Sequence, residues 1–166
     1  MRYLILVNFS FQFFSSSAQN LEIQTSLFYV FQPKDLPGNS LEGTGFSMNY
    51  GFYHTNHVRL TGGVEFQGNS WANHVLVNAG ISYALITKPK YQAEIQLIAG
   101  NGLALFKPSP MYSFSPEANV FLNYITKRNN QWGIGTGIQY MITPAYETIS
   151  PVYRMWTLPV HLRYRF

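Results

Sequence analysis

The chain has 166 residues, with 11 Lys and Arg against 7 Asp and Glu, which gives a formal charge of +4 at pH 7. Charged residues make up only 11% of it and aromatic residues 17%, whereas an ordinary soluble domain carries roughly 25% charged residues. This composition excludes a disordered chain, which is rich in charge and poor in aromatic rings, and the absence of cysteine excludes a disulfide framework or a cysteine zinc site.

The N-terminus has the pattern of a secretory signal peptide. A positive charge is followed by a mostly apolar stretch and then by Ser16 and Ala18, the small residues that a signal cleavage site needs. Residues 1–18 are therefore predicted to be removed, which leaves 19–166 as the mature chain. The alternative is a first β-strand, because phenylalanines alternate with polar residues over 9–13.

After the signal, apolar and polar residues alternate with a period of two in eight segments. In the first, Leu21 and Ile23 lie on one face and Glu22 on the other, which is typical of a β-strand with one apolar face. No segment keeps a helical period, so the predicted fold class is all-β. In the fifth segment the alternation breaks at Asn101 and Gly102, which predicts a β-bulge. The predicted strands are 21–31, 44–53, 58–67, 75–85, 91 to about 100, 117–125, 131–142 and about 155–166.

Longer and shorter connections alternate between these segments. The longer ones are 32–43, 68–74, 107–116 and 143–154, and the shorter ones are 54–57, 86–90 and 126–130. Outer-membrane barrels have long extracellular loops and short periplasmic turns. Most of the segments are also close to the roughly 9–11 residues that a tilted strand needs to cross a membrane. The pattern predicts an eight-stranded antiparallel up-and-down transmembrane β-barrel.

Aromatic side chains on the apolar face gather near the strand ends. Such girdles lie between lipid tails and water in membrane barrels. The rings expected at the periplasmic end are Phe52, Tyr83, Tyr91, Tyr124, Trp132, Tyr164 and Phe166, and those nearer the outer end are Tyr29, Phe31, Phe46, Phe66 and Trp156.

Over residues 21–166 the chain resembles the small eight-stranded outer-membrane barrels of the OmpA/OmpX transmembrane-domain type. The most specific part is the last strand, in which apolar residues alternate up to Tyr164 and a C-terminal Phe166. The resemblance implies that these two aromatic residues form a signal for the barrel-assembly machinery. It also implies the outer membrane of a Gram-negative bacterium as the location, with outer-membrane lipid around the barrel.

The polar face carries the charges that are expected to line the barrel lumen. Eight strands leave an interior just wide enough for side chains, so a plug of ion pairs and hydrogen bonds is favoured over a conduit or a small ligand pocket. Closure of the barrel sets the first strand beside the last, which predicts that Glu22 pairs with Arg163 or Arg165, and that Arg59 and Glu94 form a second pair. The predicted lumen residues are Glu22, Arg59, Glu65, Glu94, Glu117, His161, Arg163 and Arg165.

Other polar residues carry weaker signals. His54 and His57 have the spacing of a metal pair, but turn polarity explains them better because no third ligand is near in sequence. We therefore expect no metal site and no cofactor. The basic residues of the predicted periplasmic turns are expected to be solvated, with contact to inner-leaflet phosphates or other acidic envelope partners as the alternative. They are Lys88, Lys90, Lys127 and Arg128.

Three functions are compatible with these patterns. The favoured one is a non-enzymatic outer-membrane barrel with a structural or surface-interaction role, which acts as a monomer and binds an unknown extracellular partner through its outer loops. The second is a lipid-modifying enzyme, but no His/Ser/acid set lies on the predicted lipid face. The third is a soluble lipocalin-like ligand-binding barrel. No nucleic-acid motif accompanies the positive charge, so nucleic acid is not an expected partner.

Overall fold

Eight β-strands form the regular structure in the part of the chain that the structure describes. The structure is a computed structural model and describes residues 21–31, 41–69, 73–105, 110–143 and 153–166. The strands are β1 (Leu21–Phe31), β2 (Leu41–His54), β3 (Val58–Asn69), β4 (Asn73–Thr87), β5 (Tyr91–Leu105), β6 (Pro110–Ile125), β7 (Gln131–Thr143) and β8 (Tyr153–Arg165). All eight predicted strands are present, and β1 has the predicted bounds.

The strands pair antiparallel in chain order and close into a barrel. Closure pairs β1 with β8, and this places Glu22 opposite Arg165 and Phe31 opposite Trp156. We call the end at which β1 begins and β8 ends the terminal end, and the opposite end the loop end. Each of the eight described strands thus has a partner on both sides, so the sheet they form has no edge strand.

Side chains alternate between the lumen and the outer wall along each strand. Polar residues such as Gln96, Asn119 and Thr157 are buried inside, whereas Leu97 and Val120 are exposed on the outside. A soluble domain buries its apolar side chains, so this barrel has the inverted polarity that a lipid environment requires. The all-β fold class and the predicted faces are confirmed.

The predicted bulge at Asn101 and Gly102 is wrong. The pairing of β5 with β6 is continuous from Tyr91 to Leu105, and its pairing with β4 is continuous through the same region. The sequence pattern changes because Ile98 and Ala104 point into the lumen, where they are buried, and not because the register shifts. Register shifts occur instead near the terminal end, between Gly51 and Tyr53 and between Ala84 and Ile86.

The predicted alternation of connection length holds only in part. Residues 32–40 and 144–152 separate strands at the loop end, as expected for longer connections. The loop-end connections 70–72 and 106–109, however, are about as short as the terminal-end turns 55–57, 88–90 and 126–130. The reason is that pairing extends β6 back to Pro110, opposite Leu105, so residues expected in a loop belong to the strand.

Several expectations fall on parts of the chain that lie outside the described residues. They are the signal peptide at 1–18 and most of the two long loops. Over the described residues, no helix is long and apolar enough to cross a membrane.

Candidate functional site

The terminal half of the lumen holds a buried cluster of two glutamates and three arginines. Arg165 lies at the centre of it, because its guanidinium donates through Nε and Nη2 to Glu22 Oε2 at 3.0 and 2.8 Å. Its Nη1 also donates to Glu94 Oε2 at 3.2 Å and to Gln131 Oε1 at 2.9 Å. Glu22 is completely buried, so its charge depends on these donors for stabilisation.

Arg163 lies two residues before Arg165 on β8, deeper in the barrel, and contacts both glutamates. Its Nη1 donates to Glu94 Oε1 at 3.0 Å and lies 3.7 Å from Glu22 Oε2. Its Nη2 donates to Asn123 Oδ1 at 2.8 Å. The guanidinium carbon lies 3.6 Å from the centre of the Phe121 ring, so Arg163 is held by both ionic and cation–π contacts.

The observed ion pairs differ from the predicted separate pair of Arg59 and Glu94. Arg59 Nη1 lies 3.5 Å from Glu22 Oε2, while Glu94 accepts from Arg163 and Arg165. Three arginines therefore share two carboxylates in one network. The sequence could not show this, because it depends on how far each side chain reaches across the lumen.

His161 occupies the middle of the lumen and connects three strands. Its Nε2 lies 2.9 Å from Glu117 Oε1 and 3.2 Å from Asn119 Oδ1. Because both of these atoms are acceptors, Nε2 carries the proton. Nδ1 then accepts hydrogen bonds from Ser26 Oγ at 2.7 Å and Gln24 Nε2 at 2.8 Å.

Ser26, His161 and Glu117 thus have the hydrogen-bond order of a hydrolase triad, which the sequence did not reveal because the three lie on different strands. All three side chains are buried. None of them lines any of the cavities found along the described strands. The arrangement thus links β1, β6 and β8 through buried hydrogen bonds inside the lumen.

Among the described residues, the loop half of the lumen contains fewer ionic contacts than the terminal half. Glu65, the remaining predicted acid, accepts from Gln67 Nε2 at 2.7 Å. Nearer the loop end the interior also contains a buried apolar cluster of Phe28, Met141 and Met155. These inward apolar residues interrupt the polar face, and the period-two pattern alone did not identify the cluster.

Glycines on β7 make room for large side chains from the neighbouring strand. A Cβ atom at Gly135 would lie 2.4 Å from Phe121 Cδ1, and one at Gly137 would lie 2.0 Å from Asn119 Oδ1. The absence of side chains at these positions lets Phe121 lie flat across the lumen beneath Arg163. Within the described strands, side chains from β6 and β8 thus cross the lumen, and the glycines of β7 make room for them.

Aromatic rings surround the terminal end of the outer wall. The rings of Trp132 and Tyr164 have centres 4.4 Å apart, and those of Tyr164 and Phe166 4.6 Å apart. The Tyr164 hydroxyl accepts from Asn130 Nδ2 at 2.6 Å, and the Phe166 amide donates to the Leu21 carbonyl at 3.0 Å. The two predicted assembly-signal residues are therefore packed at the seam where the barrel closes.

The turns at the terminal end carry exposed cations and two histidines. His57 stacks on Tyr83 with ring centres 6.1 Å apart, which agrees with a structural role in the turn. The described residues contain no group of three His, Asp or Glu side chains placed to hold a metal ion. Lys88, Lys90, Lys127 and Arg128 are all exposed.

Comparison with known proteins supports the fold. No family model matches the chain, and no curated protein matches it. The structure is similar to the Neisserial surface protein A, with 15% identity, a TM-score of 0.54, and coverage of 88% of this chain and 97% of the other. This match shows that the chain has the fold of a small eight-stranded outer-membrane β-barrel.

Two further similarities have lower TM-scores. A de novo designed transmembrane β-barrel matches with 15% identity and a TM-score of 0.48, over 89% of this chain and 96% of the other. Ail, the attachment invasion locus protein of Yersinia pestis, matches with 15% identity and a TM-score of 0.46, over 89% and 97% of the two chains.

Proposed function

We propose that this protein is an integral outer-membrane barrel of a Gram-negative bacterium, with a structural or surface-interaction role carried by its extracellular loops. The observation that supports this most directly is the inverted polarity of the barrel wall. Leu27, Val77 and Leu162 are each more than 60% exposed on the outside, while Glu22, Gln96 and Asn123 are completely buried inside. Lipid is the solvent that favours this arrangement, because the outer wall would be unstable in water.

The filled lumen favours a role outside the channel. Arg163, Phe121 and His161 cross the interior and are each almost completely buried. We infer that these side chains close the lumen to solutes, which leaves the mouths and loops of the molecule to bind partners. Segments 32–40 and 144–152 are the longest connections at the loop end, and loops on a rigid scaffold commonly carry binding function.

The proposal includes the environment of the barrel. The protein acts as a monomer surrounded by outer-membrane lipid, residues 1–18 direct its export, and the barrel-assembly machinery recognises Tyr164 and Phe166. The terminal end then faces the periplasm, and segments 32–40 and 144–152 face the exterior.

Membrane extraction separates this proposal from a soluble ligand-binding barrel. Membranes from cells that express the full chain are first washed with salt at about 1 M, where the Debye length is roughly 3 Å and exposed ionic contacts are screened. They are then dissolved in detergent. We expect the protein only in the detergent fraction, with a mobility on gels that changes on heating. Release by salt would overturn the proposal.

Surface labelling tests the direction of insertion. A peptide tag inserted into 144–152 should be labelled by antibody on intact cells, whereas the same tag inserted into 88–90 should be labelled only after the outer membrane is opened. The reverse pattern would contradict the proposed orientation. A binding screen with deletions in 32–40 and 144–152 then identifies the partner.

A further inference from the structure

The terminal mouth of the barrel contains a polar cavity of about 470 Å³. Arg59 and Arg165 approach it from the lumen, and Arg128 approaches it from the 126–130 turn. The amide side chains of Gln92 and Gln131 also line it. The wall thus contains amides and three guanidinium groups of fixed positive charge, with Ile125 and Phe166 as apolar lining residues.

Positive charge is in excess around this cavity. Glu22 and Glu94 lie behind the arginines, where they are buried and already accept from Arg163 and Arg165. The turns 55–57, 88–90 and 126–130 contain no Asp or Glu. Even with the carboxylate of Phe166 counted, the cations outnumber the anions. The cations of this end are Arg59, Lys88, Lys90, Lys127, Arg128, Arg163 and Arg165.

Arg128 differs from the other turn cations in its position. It lines the cavity, whereas Lys127, its neighbour in the same turn, does not. The turn is held by hydrogen bonds from the Thr126 amide to the Asn130 carbonyl and from the Asn129 amide to the Thr126 carbonyl. Asn129 has a φ of 64°, a conformation that asparagine tolerates better than most residues. Within the described residues, no acid forms an ion pair with Arg128.

We propose that the terminal mouth binds a small, multiply charged phosphate-bearing anion. The guanidinium of Arg128 matches the geometry of phosphate oxygens and can bind them through paired hydrogen bonds. Arg59 and Arg165 already contact Glu22 and contribute positive charge at the inner wall of the cavity. An excess of more than one positive charge favours a phosphate, which carries about −1.5 to −2 charges near pH 7, over a single carboxylate. The volume leaves space for the group that bears the phosphate. Only the assignment of this mouth to the periplasm rests on the proposed function.

Calorimetric titration of the full mature chain tests the site. The protein is placed in phosphatidylcholine nanodiscs, which leave both mouths accessible, and is titrated with inorganic tripolyphosphate. We expect saturable binding of one anion per barrel, weakened about tenfold by Arg128→Gln, since a hydrogen bond to a charged group is worth about a tenfold change in affinity or more. Lys127→Gln removes the same charge from the same turn without touching the cavity, and should change the affinity less than about twofold.

Two results would overturn the proposal. One is the absence of saturable binding to the wild-type protein. The other is an equal loss of affinity in Arg128→Gln and Lys127→Gln, because diffuse charge rather than a built site would then explain the binding. Both variants alter exposed turn residues, so an unchanged heat-dependent mobility on gels verifies that each barrel is folded.

A second nanodisc composition identifies the source of the phosphate. Replacing part of the phosphatidylcholine by phosphatidylglycerol supplies phosphate headgroups without positive charge. Competition with tripolyphosphate in the wild-type protein, lost in Arg128→Gln, would identify a lipid headgroup as the occupant. Unchanged affinity would identify a soluble phosphate compound.

Discussion

Glu22 is the acid most dependent on its neighbours. It is completely buried, and Arg165, Arg59 and Arg163 all lie within 3.7 Å of its Oε2 atom. Its proximity to Arg165 follows from local alternation and from barrel closure, since the two residues are paired across the seam. The additional contact with Arg59 depends on the width of the lumen and was not predicted.

We expect Glu22→Gln to lower the free energy of unfolding by about 3–5 kcal/mol, because it leaves buried arginines without a counter-charge. The double variant with Arg165→Gln should be destabilised by less than the sum of the two single changes, since it removes both charges of one pair. Reversible denaturant unfolding in lipid vesicles measures these differences. Strictly additive energies would show that the two groups are not coupled.

Glu65→Gln is the matched control for this cycle. Glu65 is also a buried lumen acid, but its closest hydrogen bond is to the neutral amide of Gln67. Neutralising Glu65 leaves no arginine without its counter-charge, so we expect a smaller loss of stability than in Glu22→Gln. A loss as large as that of Glu22→Gln would mean that any buried acid has this effect.

Strands β4 and β5 show how depth in the membrane should determine the effect of a charge. Leu97 lies near the middle of β5 and is 52% exposed, while Leu85 lies near the terminal end of β4 and is 53% exposed. The two leucines therefore differ in depth but not in exposure. We expect Leu97→Arg to cost about 2–4 kcal/mol and Leu85→Arg about 0–1 kcal/mol.

Unfolding in vesicles of matched thickness measures both variants. Equal costs would contradict the placement of the bilayer around the middle of the strands. Reduced costs for both in thinner bilayers would support it, because the hydrocarbon layer would then cover less of each strand.

The end of β8 closes the barrel and presents its last aromatic rings. Phe166 is bonded through its amide to Leu21 and packs on Tyr164. We expect Phe166→Asp to lower outer-membrane assembly strongly, because it places a charge at the seam and removes the proposed assembly signal. The amount of heat-modifiable protein in the membrane fraction measures this.

Phe166→Tyr keeps an aromatic ring at the same position and should assemble normally. Phe52→Asp changes another exposed ring near the terminal end, away from the seam. It should reduce assembly less than Phe166→Asp. Normal assembly of Phe166→Asp would refute the role of the last residue.

The molecule as a whole is a closed barrel, and within the described residues large side chains cross its interior. Phe121 lies across the lumen between Arg163 and His161, with ring centres 5.6 Å apart for Phe121 and His161. Gly135 and Gly137 on β7 lie opposite Phe121 and Asn119 and leave space for their side chains. The position of these side chains in the lumen therefore depends on two paired strands. The closed lumen that we propose, together with the cavity at one mouth, favours binding over transport.

We expect vesicles that contain the protein to exclude small sugars. In a swelling assay with arabinose, they should behave like protein-free vesicles, because hydrogen bonds and packed side chains close the lumen. Swelling at the rate given by a general porin would contradict this. The double variant Phe121→Ala with Arg163→Ala removes two of the side chains that cross the lumen. We expect vesicles that contain this variant to swell in arabinose.

The strands and their faces could be predicted because both depend on local order. Alternation places Glu22 and Glu117 on one face whatever lies beyond the strand, and eight such segments with polar interiors allow one closed arrangement. The contacts inside the lumen depend on barrel width and on the stagger of distant strands. Arg163 therefore reaches Glu94 across the interior, and Ser26 reaches His161, without a signal in the sequence. Strand ends were also decided by neighbours, because β6 extends to Pro110 only where β5 supplies a paired backbone.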